Sequence, residues 1–368
     1  MEFGIDISTG QINKILSKGK DVFHRKKDQT LITVLEVSKY IQTDDTGARH
    51  DGKNGYCTQI GNDFFAWFHS SHSKSRINFL QILASAYKSQ YALTEDAFRY
   101  MKIEKLPKKQ LRIFRCSIHS CFNTHAEWSK WLADSRIVNK RHVKIATEAA
   151  LLAGCFKAGL NRDLVILSDD AGQFNIPMIK HALCWIHEER HLQKLLPGNN
   201  KAKADDLEKV INDFWLLDDQ WKSYKLSPSK DKAFAINNEF EVLFKRKTSF
   251  ESLNGALKLI YSKKEELLQV LNELALPLHN NGSENDIREF VKRRKVSGGT
   301  RSALGQRCRD TFASLKKTCR KLGVSFFAYI KDRQSGKNEI SLLSDLIRKV
   351  AFRNSPIQGL GDSITVAA

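Results

Sequence analysis

The sequence predicts an α/β fold on one mixed sheet, an antiparallel meander joined to parallel strands, with a large helical insertion and helical N- and C-terminal segments. Three observations predict it. Residues 31–72 hold β-rich runs separated by glycine-containing turns. Four apolar residues, Leu164-Val165-Ile166-Leu167, run straight into Ser168-Asp169-Asp170, the pattern of a strand buried on both faces. The remaining long stretches carry helical periodicity.

In chain order, residues 1–30 read as polar helix with Ile12, Ile15 and Leu16 as contact points. Strands are expected at Tyr40–Asp44, Tyr56–Ile60 and Phe64–His69, with turns at Gly47–Gly55 and Gly61-Asn62-Asp63. Ser73 or Ser75 can cap a following helix whose Phe79, Leu80, Ile82, Leu83 and Tyr87 face inward. Residues 90–160 read as mainly helical, ending in the Ala/Leu-rich run Glu148–Leu160. Lys180–His187 is expected as a further strand, and 188–275 as helix up to Pro277. Asn281 or Ser283 can cap a helix beginning near Glu284. From Ser302, the stripe Leu304, Cys308, Phe312, Leu315, Cys319, Leu322 marks an amphipathic helix.

A meander, helices, two more strands, a helical insert and closing helices fit a ribonuclease-H-like core. A generic α/β fold would alternate strand and helix from the start. The expected division is 1–30, an N-terminal helical segment; 31–195, the first part of the core; 196–276, the insertion; 277–335, the closing core helices with a basic segment; and 336–368, a tail.

Charge narrows the function. Across 368 residues, Lys plus Arg number 60 and Asp plus Glu 41, a net charge of +19. Residues 288–321 hold twelve basic and two acidic side chains, +10 in 34 residues. So uneven a charge points to a polyanionic partner. Hydrophobic residues at 41% exclude a wholly disordered chain. No run of about 18 apolar residues suggests a membrane span, and MEFGIDISTGQ lacks a signal-peptide pattern. The seven scattered cysteines read as free thiols of a reducing compartment, so a cytoplasmic, nucleoid-associated protein is expected.

Acidic residues stand at three loci: Asp44-Asp45, Asp169-Asp170 and Glu284. Phosphodiester cleavage can rest on two Mg²⁺ ions about 3.5–4 Å apart, held by carboxylates converging from separate segments. Neighbouring strand residues point to opposite faces, so one Asp of each pair can face a shared site. Ordinary turn and cap aspartates are the other reading of the same positions.

Four stretches resemble transposases of the insertion sequence 66 family: YIQTDDTGARHDGKNGYCTQIGNDFFAWF (40–68), LVILSDDAGQFN (164–175), HALCWIHEERHLQKL (181–195) and 277–333, with its NN-x-x-E-x-x-x-R core. The resemblance covers most of the chain. It implies a DDE-class enzyme on a ribonuclease-H-like fold. Its acidic triad falls on Asp44, Asp169 and Glu284, at intervals of 125 and 115 residues, and these are the implied catalytic residues and ligands of Mg²⁺, with Mn²⁺ as a substitute. Many members carry a cysteine-rich zinc-binding segment and a helical region ahead of the core. No CxxC pair occurs here, so end recognition is expected to be weakened, supplied by another protein, or lost.

Other groups keep two or more readings. Arg288 can hold Glu284, grip a DNA phosphate, or form a helix salt bridge. Cys184 and His187 form a CxxH that braces the core, approaches the site or joins a zinc set with His181 and His191. Asn280 and Asn281 can cap the helix of Glu284. Lys292-Arg293-Arg294-Lys295 and Arg301, around a Ser-Gly-Gly-Thr turn, are the strongest DNA-contact candidates, against a solvated basic face; the glycines would let backbone amides reach phosphates. Trp67, Trp185, Trp215 and Trp221 read as packing residues, with base stacking the alternative. The expected function is a DNA transposase that hydrolyses transposon ends and joins the freed 3′ hydroxyl to target DNA. Its expected partners are transposon-end and target DNA, further copies of itself on DNA, and accessory transposition proteins. A nuclease without strand transfer and a catalytically inactive DNA-binding remnant are the alternatives.

Overall fold

A computed structural model describes residues 6–88 and 90–353. The final stretch of the expected tail and the first residues of the N-terminal segment lie outside these. Helices α1 (Thr9–Ser17) and α2 (Asp21–Val37) lead into strands β1 (Tyr40–Gly47), β2 (Tyr56–Asn62) and β3 (Phe65–Ser71). Then come α3 (Arg76–Tyr87), β4 (Tyr91–Ala92), α4 (Glu95–Ile103), α5 (Lys108–Cys116), β5 (Cys121–Phe122), α6 (His125–Asp134) and α7 (Lys140–Lys157). Strands β6 (Val165–Ser168) and β7 (Lys180–Leu183) precede α8 (Trp185–Gln193). The insertion holds α9 (Lys201–Leu226), α10 (Lys230–Phe244), α11 (Glu251–Ser262) and α12 (Lys264–Leu267). Helices α13 (Asn281–Ser297), α14 (Ala303–Lys321), α15 (Phe326–Ser335) and α16 (Leu343–Arg353) close the chain.

The main sheet has the order β3-β2-β1-β6-β7, with the first three strands antiparallel and β6 and β7 parallel to β1. Alternation sorts its two faces. Ile41 and Ile166 sink into one core with α2, α3 and α7, whereas Tyr40, Val165 and Leu167 join a second core with Trp185 and the insertion helices. Gln42 and Asp44 share the face of Tyr40, so this second face carries the polar site.

Strand β3 is an edge, and α14 covers it. Asp310, Ser314 and Thr318, four residues apart, accept from the amides of Ser70, Phe68 and Ala66, two residues apart, at 2.7, 2.9 and 3.2 Å. Four helical residues rise about 6 Å and two strand residues about 6.7 Å, so the ladders stay in step. A sheet edge open to pairing with another chain is thereby closed.

Three expectations shift. Strand β1 runs on past Asp44, because residues through Gly47 still pair with β2, Gly47 lying opposite Tyr56. The expected strand Lys180–His187 splits into β7 and the first turn of α8; the Cys184 amide closes the ladder on the Ser168 carbonyl at 3.1 Å and the helix starts at Trp185. The two-residue ladder β4–β5 inside the helical region is too short to leave a pattern in sequence.

Candidate active site

The register between β1 and β6 sets the first half of the site. Gln42 lies opposite Leu167, an offset of 125 residues, and the same offset carries Asp44 to Asp169. The two aspartates therefore leave adjacent parallel strands at the same level. Asp169 lies just past the end of β6, where its Oδ1 accepts from the Ala171 amide at 3.2 Å.

Helix α13 supplies the second half. It lies across β1 and β2 on the face of Gln42 and Asp44. Polar anchors fix it there. The Asn280 side-chain amide donates to the Thr43 carbonyl at 2.9 Å, Ser283 donates to the Gln59 side chain, and Gln59 Nε2 donates to Asp286 at 3.2 Å. Gly282 permits the approach, since a Cβ there would meet the Gln42 side-chain oxygen. The expected side-chain caps are absent from this helix start: Asn280 occupies the cap position without capping, and Ser283 is spent on the sheet. Docking on the strands competes for the same hydrogen bonds as capping, and here docking wins.

The outcome is a cluster of like charges. Burial pushes the Asp44 carboxyl up to about 7; the Asp45 amide opposes this, and Asp169, Asp45 and Glu284 push it further up. Asp45 turns to the opposite face, where Thr58 Oγ1 and Gln173 Nε2 donate to it at 2.5 and 2.9 Å. Asp170 turns to Lys263 of the insertion at 2.8 Å, and Lys263 also reaches Glu188 at 3.0 Å. Asp44, Asp169 and Glu284 offer oxygen donors alone, the ligand type that suits a hard cation such as Mg²⁺. Among the described residues no three His, Cys, Asp or Glu side chains are drawn together closely enough to hold an ion as they stand.

Glu284 is instead engaged by cations of the protein. Its Oε1 lies 3.4 Å from Arg190 Nη1 and 3.8 Å from His187 Nε2, and its Oε2 lies 3.4 Å from Arg288 Nη2. Arg190 is a residue that sequence reasoning missed. Its only signal was position, since it lies three residues after His187 on a helix rather than a strand. Cys184 braces the site, its Sγ accepting from the Asn280 amide at 3.2 Å. His181 bonds Ser168 Oγ at 2.9 Å, and burial drives its ring down to about 4.

The basic segment divides. Lys292, Lys295 and Arg301 are exposed, and Arg288 is largely so. Arg293 and Arg294 are half-buried: Arg293 pairs with Glu289 at 3.4 Å and Arg294 donates to the Gly47 carbonyl. The following glycines serve backbone packing. Gly298 ends α13 at φ 70°, and Gly299, at φ 155°, lies so close to the Arg49 carbonyl that a Cβ would sit 2.7 Å from it. Thr300 then bonds the hairpin loop, donating to Arg49 O at 3.0 Å and accepting from the Asp51 amide at 2.7 Å. Between α13 and α14 a groove is lined by Arg288, Lys292, Lys316, Lys317, Arg320 and Lys321, among others. Trp67, Trp185 and Trp221 are buried, and Trp215 is partly exposed. No helix among the described residues is long and apolar enough to cross a membrane.

The family model described as "Transposase IS66 family" matches residues 139–307, which include Asp169, α8, the insertion and Glu284. The chain is also 39% identical over 301 residues to the uncharacterized protein y4jO of Sinorhizobium fredii (strain NBRC 101917 / NGR234), covering 81% of this chain and 92% of that protein. With the match spanning both ends of the insertion, and a relative of this identity covered almost throughout, the chain belongs to the IS66 family of transposases.

Proposed function

We propose that the chain is a DNA transposase with a ribonuclease-H-like core, hydrolysing phosphodiester bonds at transposon ends and transferring the freed strand to target DNA. Asp44, Asp169 and Glu284 are the proposed catalytic and metal-holding residues. The observation that supports the reading is placement: the β1–β6 register sets Asp44 of β1 level with Asp169 just past β6, and α13, which carries Glu284 in its first turn, lies across β1 and β2. Like charges gathered in a half-buried place are costly unless cations neutralise them. Mg²⁺ held there would activate the attacking oxygen and stabilise the leaving one.

The chain's own residues complete the assignment. Lys292, Lys295 and Arg301, with the Arg288 edge of the α13–α14 groove, are the proposed DNA-binding cations, one to two helical turns or more from Glu284. Arg293 and Arg294 contribute field from fixed positions rather than free side chains. Further copies on DNA and accessory proteins remain part of the proposal through the family's way of working.

Asp169→Asn tests it. The variant is expected to lose Mg²⁺-dependent cleavage of end-containing DNA while keeping DNA affinity, or gaining slightly, because a negative charge facing phosphate is gone. Cleavage at the parent rate would remove Asp169 from the site. A joining assay on the same DNA separates a transposase from a nuclease that only cuts.

A further inference from the structure

Arg190 occupies a place that the acidic trio alone does not explain. It reaches Glu284 from α8, across the space between two separately held helices. Helix α8 is firmly set. The buried Trp185 donates its backbone amide to the Leu278 carbonyl at 3.2 Å and its indole N–H to the Leu267 carbonyl at 3.1 Å. Glu188, also buried, is bound to Lys263. The Arg190 side chain, by contrast, is 44% exposed.

The contacts on Glu284 are long. Arg190 and Arg288 approach at 3.4 Å and His187 at 3.8 Å, where charge-assisted pairs close to about 2.7–2.9 Å. Such a hold is weak and exchangeable.

We propose that Arg190 is a positioning residue with two states. In one it holds Glu284 by its Oε1. When Glu284 turns to the acidic site, the guanidinium is released to a backbone phosphate of bound DNA. This rests on the reading of the trio as a metal site. Arg288, four residues along α13 from Glu284, shares the first state, but its 66% exposure makes it the looser partner. Loading of the site and gripping of DNA are thereby coupled through one carboxylate.

Two measurements on the full chain test the proposal. In calorimetric titrations with Ca²⁺ alone, Arg190→Gln removes a competitor for Glu284 and is expected to bind about two- to fivefold more tightly than the parent. In salt titrations on a mixed-sequence duplex, the variant's log–log slope is expected to be shallower than the parent's by about 0.9 with Ca²⁺ present and equal to it without. Arg190→Lys is expected to restore the slope, and matching melting curves establish that both variants fold. Unchanged or weaker Ca²⁺ binding by Arg190→Gln overturns the proposal. So does a slope deficit equal with and without Ca²⁺, which would make Arg190 a plain DNA contact. Asp169→Asn separates the two layers. If the parent binds Ca²⁺ and Asp169→Asn does not, failure falls on the Arg190 proposal alone; if the parent binds none, both fall.

Discussion

Two faces of α13 treat their carboxylates in opposite ways. Asp286 and Glu289 face α14, where Asp286 meets Lys321 at 2.7 Å and Lys317 at 3.5 Å, and Glu289 meets Lys316 at 2.9 Å and Lys317 at 3.1 Å. Burial works against the Glu289 charge, yet hydrogen bonds from Lys316 and Lys317 hold its carboxyl down to about 2. Elsewhere on the helix Glu284 meets Arg190 and Arg288 at 3.4 Å and His187 at 3.8 Å, while burial and neighbouring carboxylates push the Asp44 carboxyl of β1 up to about 7. One helix thus carries Asp286 and Glu289 in close lysine pairs and Glu284 in longer contacts with arginines and a histidine. The first is a docking device. The second lies near Asp44, whose ionisation burial and like charges oppose.

The sharpest way to break this contrast is to neutralise each face in turn. Glu284→Gln is expected to lower metal-dependent cleavage by about a thousandfold or more, equivalent to about 4 kcal/mol of barrier. Its folding stability should stay within about 1 kcal/mol of the parent in urea denaturation, because a crowded charge is removed. Cleavage at the parent rate would show that the two faces do not differ in function. Asp286→Ala should do the reverse to stability. It leaves Lys317 and Lys321, with side chains 12% and 17% exposed, without that partner, and losses of about 3–5 kcal/mol follow from breaking such pairs. A change under about 1 kcal/mol would mean that the lysines relax to water and the α13–α14 contact does not depend on them.

Asp310 sharpens the comparison from a third side. It is buried and accepts from Ser70 N and Oγ at 2.7 and 2.9 Å. Burial raises its carboxyl to about 6, with Lys27 and the Ser70 bonds opposing. A carboxyl raised on folding favours the protonated folded state. Its stabilising contribution is therefore full below about pH 4 and fades as pH rises through about 6. Asp310→Asn keeps an acceptor for the Ser70 amide and cannot ionise. Its stability relative to the parent is expected to rise by up to about 3 kcal/mol between pH 4 and pH 7, read from paired melting curves. A flat difference would place the Asp310 charge under full compensation, like that of Asp286.

The smallest effect concerns the exposed basic side chains. Lys292→Ala, Lys295→Ala and Arg301→Ala together are expected to flatten the log–log salt slope of duplex binding by about 2.7, at about 0.9 per phosphate contact. Arg294 is left in place because it holds the Gly47 carbonyl. An unchanged slope would move the DNA path elsewhere.

Much of the sheet was legible because alternation and apolar runs are local signals. The meander, the Leu164–Leu167 strand and the amphipathic stripe of α14 were all visible in the order of residues. The assignment of Glu284 rather than Asp286 to the site was not, since both lie in one acidic, polar turn. Family resemblance pointed to Glu284; residues two apart on a helix lie about 200° apart around its axis, and in space Asp286 meets Gln59 of β2 and lysines of α14 whereas Glu284 meets Arg190 and His187 of α8. Equally hidden were Arg190 and Lys263. Nothing near either marks it in sequence, because their partners, Glu284 and Asp170, lie 94 and 93 residues away.

What the sequence determined by itself is the kind of molecule: a basic chain with a mixed sheet, a helical insert and acidic residues at strand and helix ends. Composition, periodicity and turn residues act over a few positions and survive in any context. The tertiary structure decided which counter-charges each carboxylate meets. That depends on the parallel register that sets Asp44 level with Asp169, on the Gly282 contact that lets α13 lie on the sheet, and on lysines from α14 that reach some acids and not others. Electrostatic compensation is a property of distance in space, and sequence separation carries almost none of it.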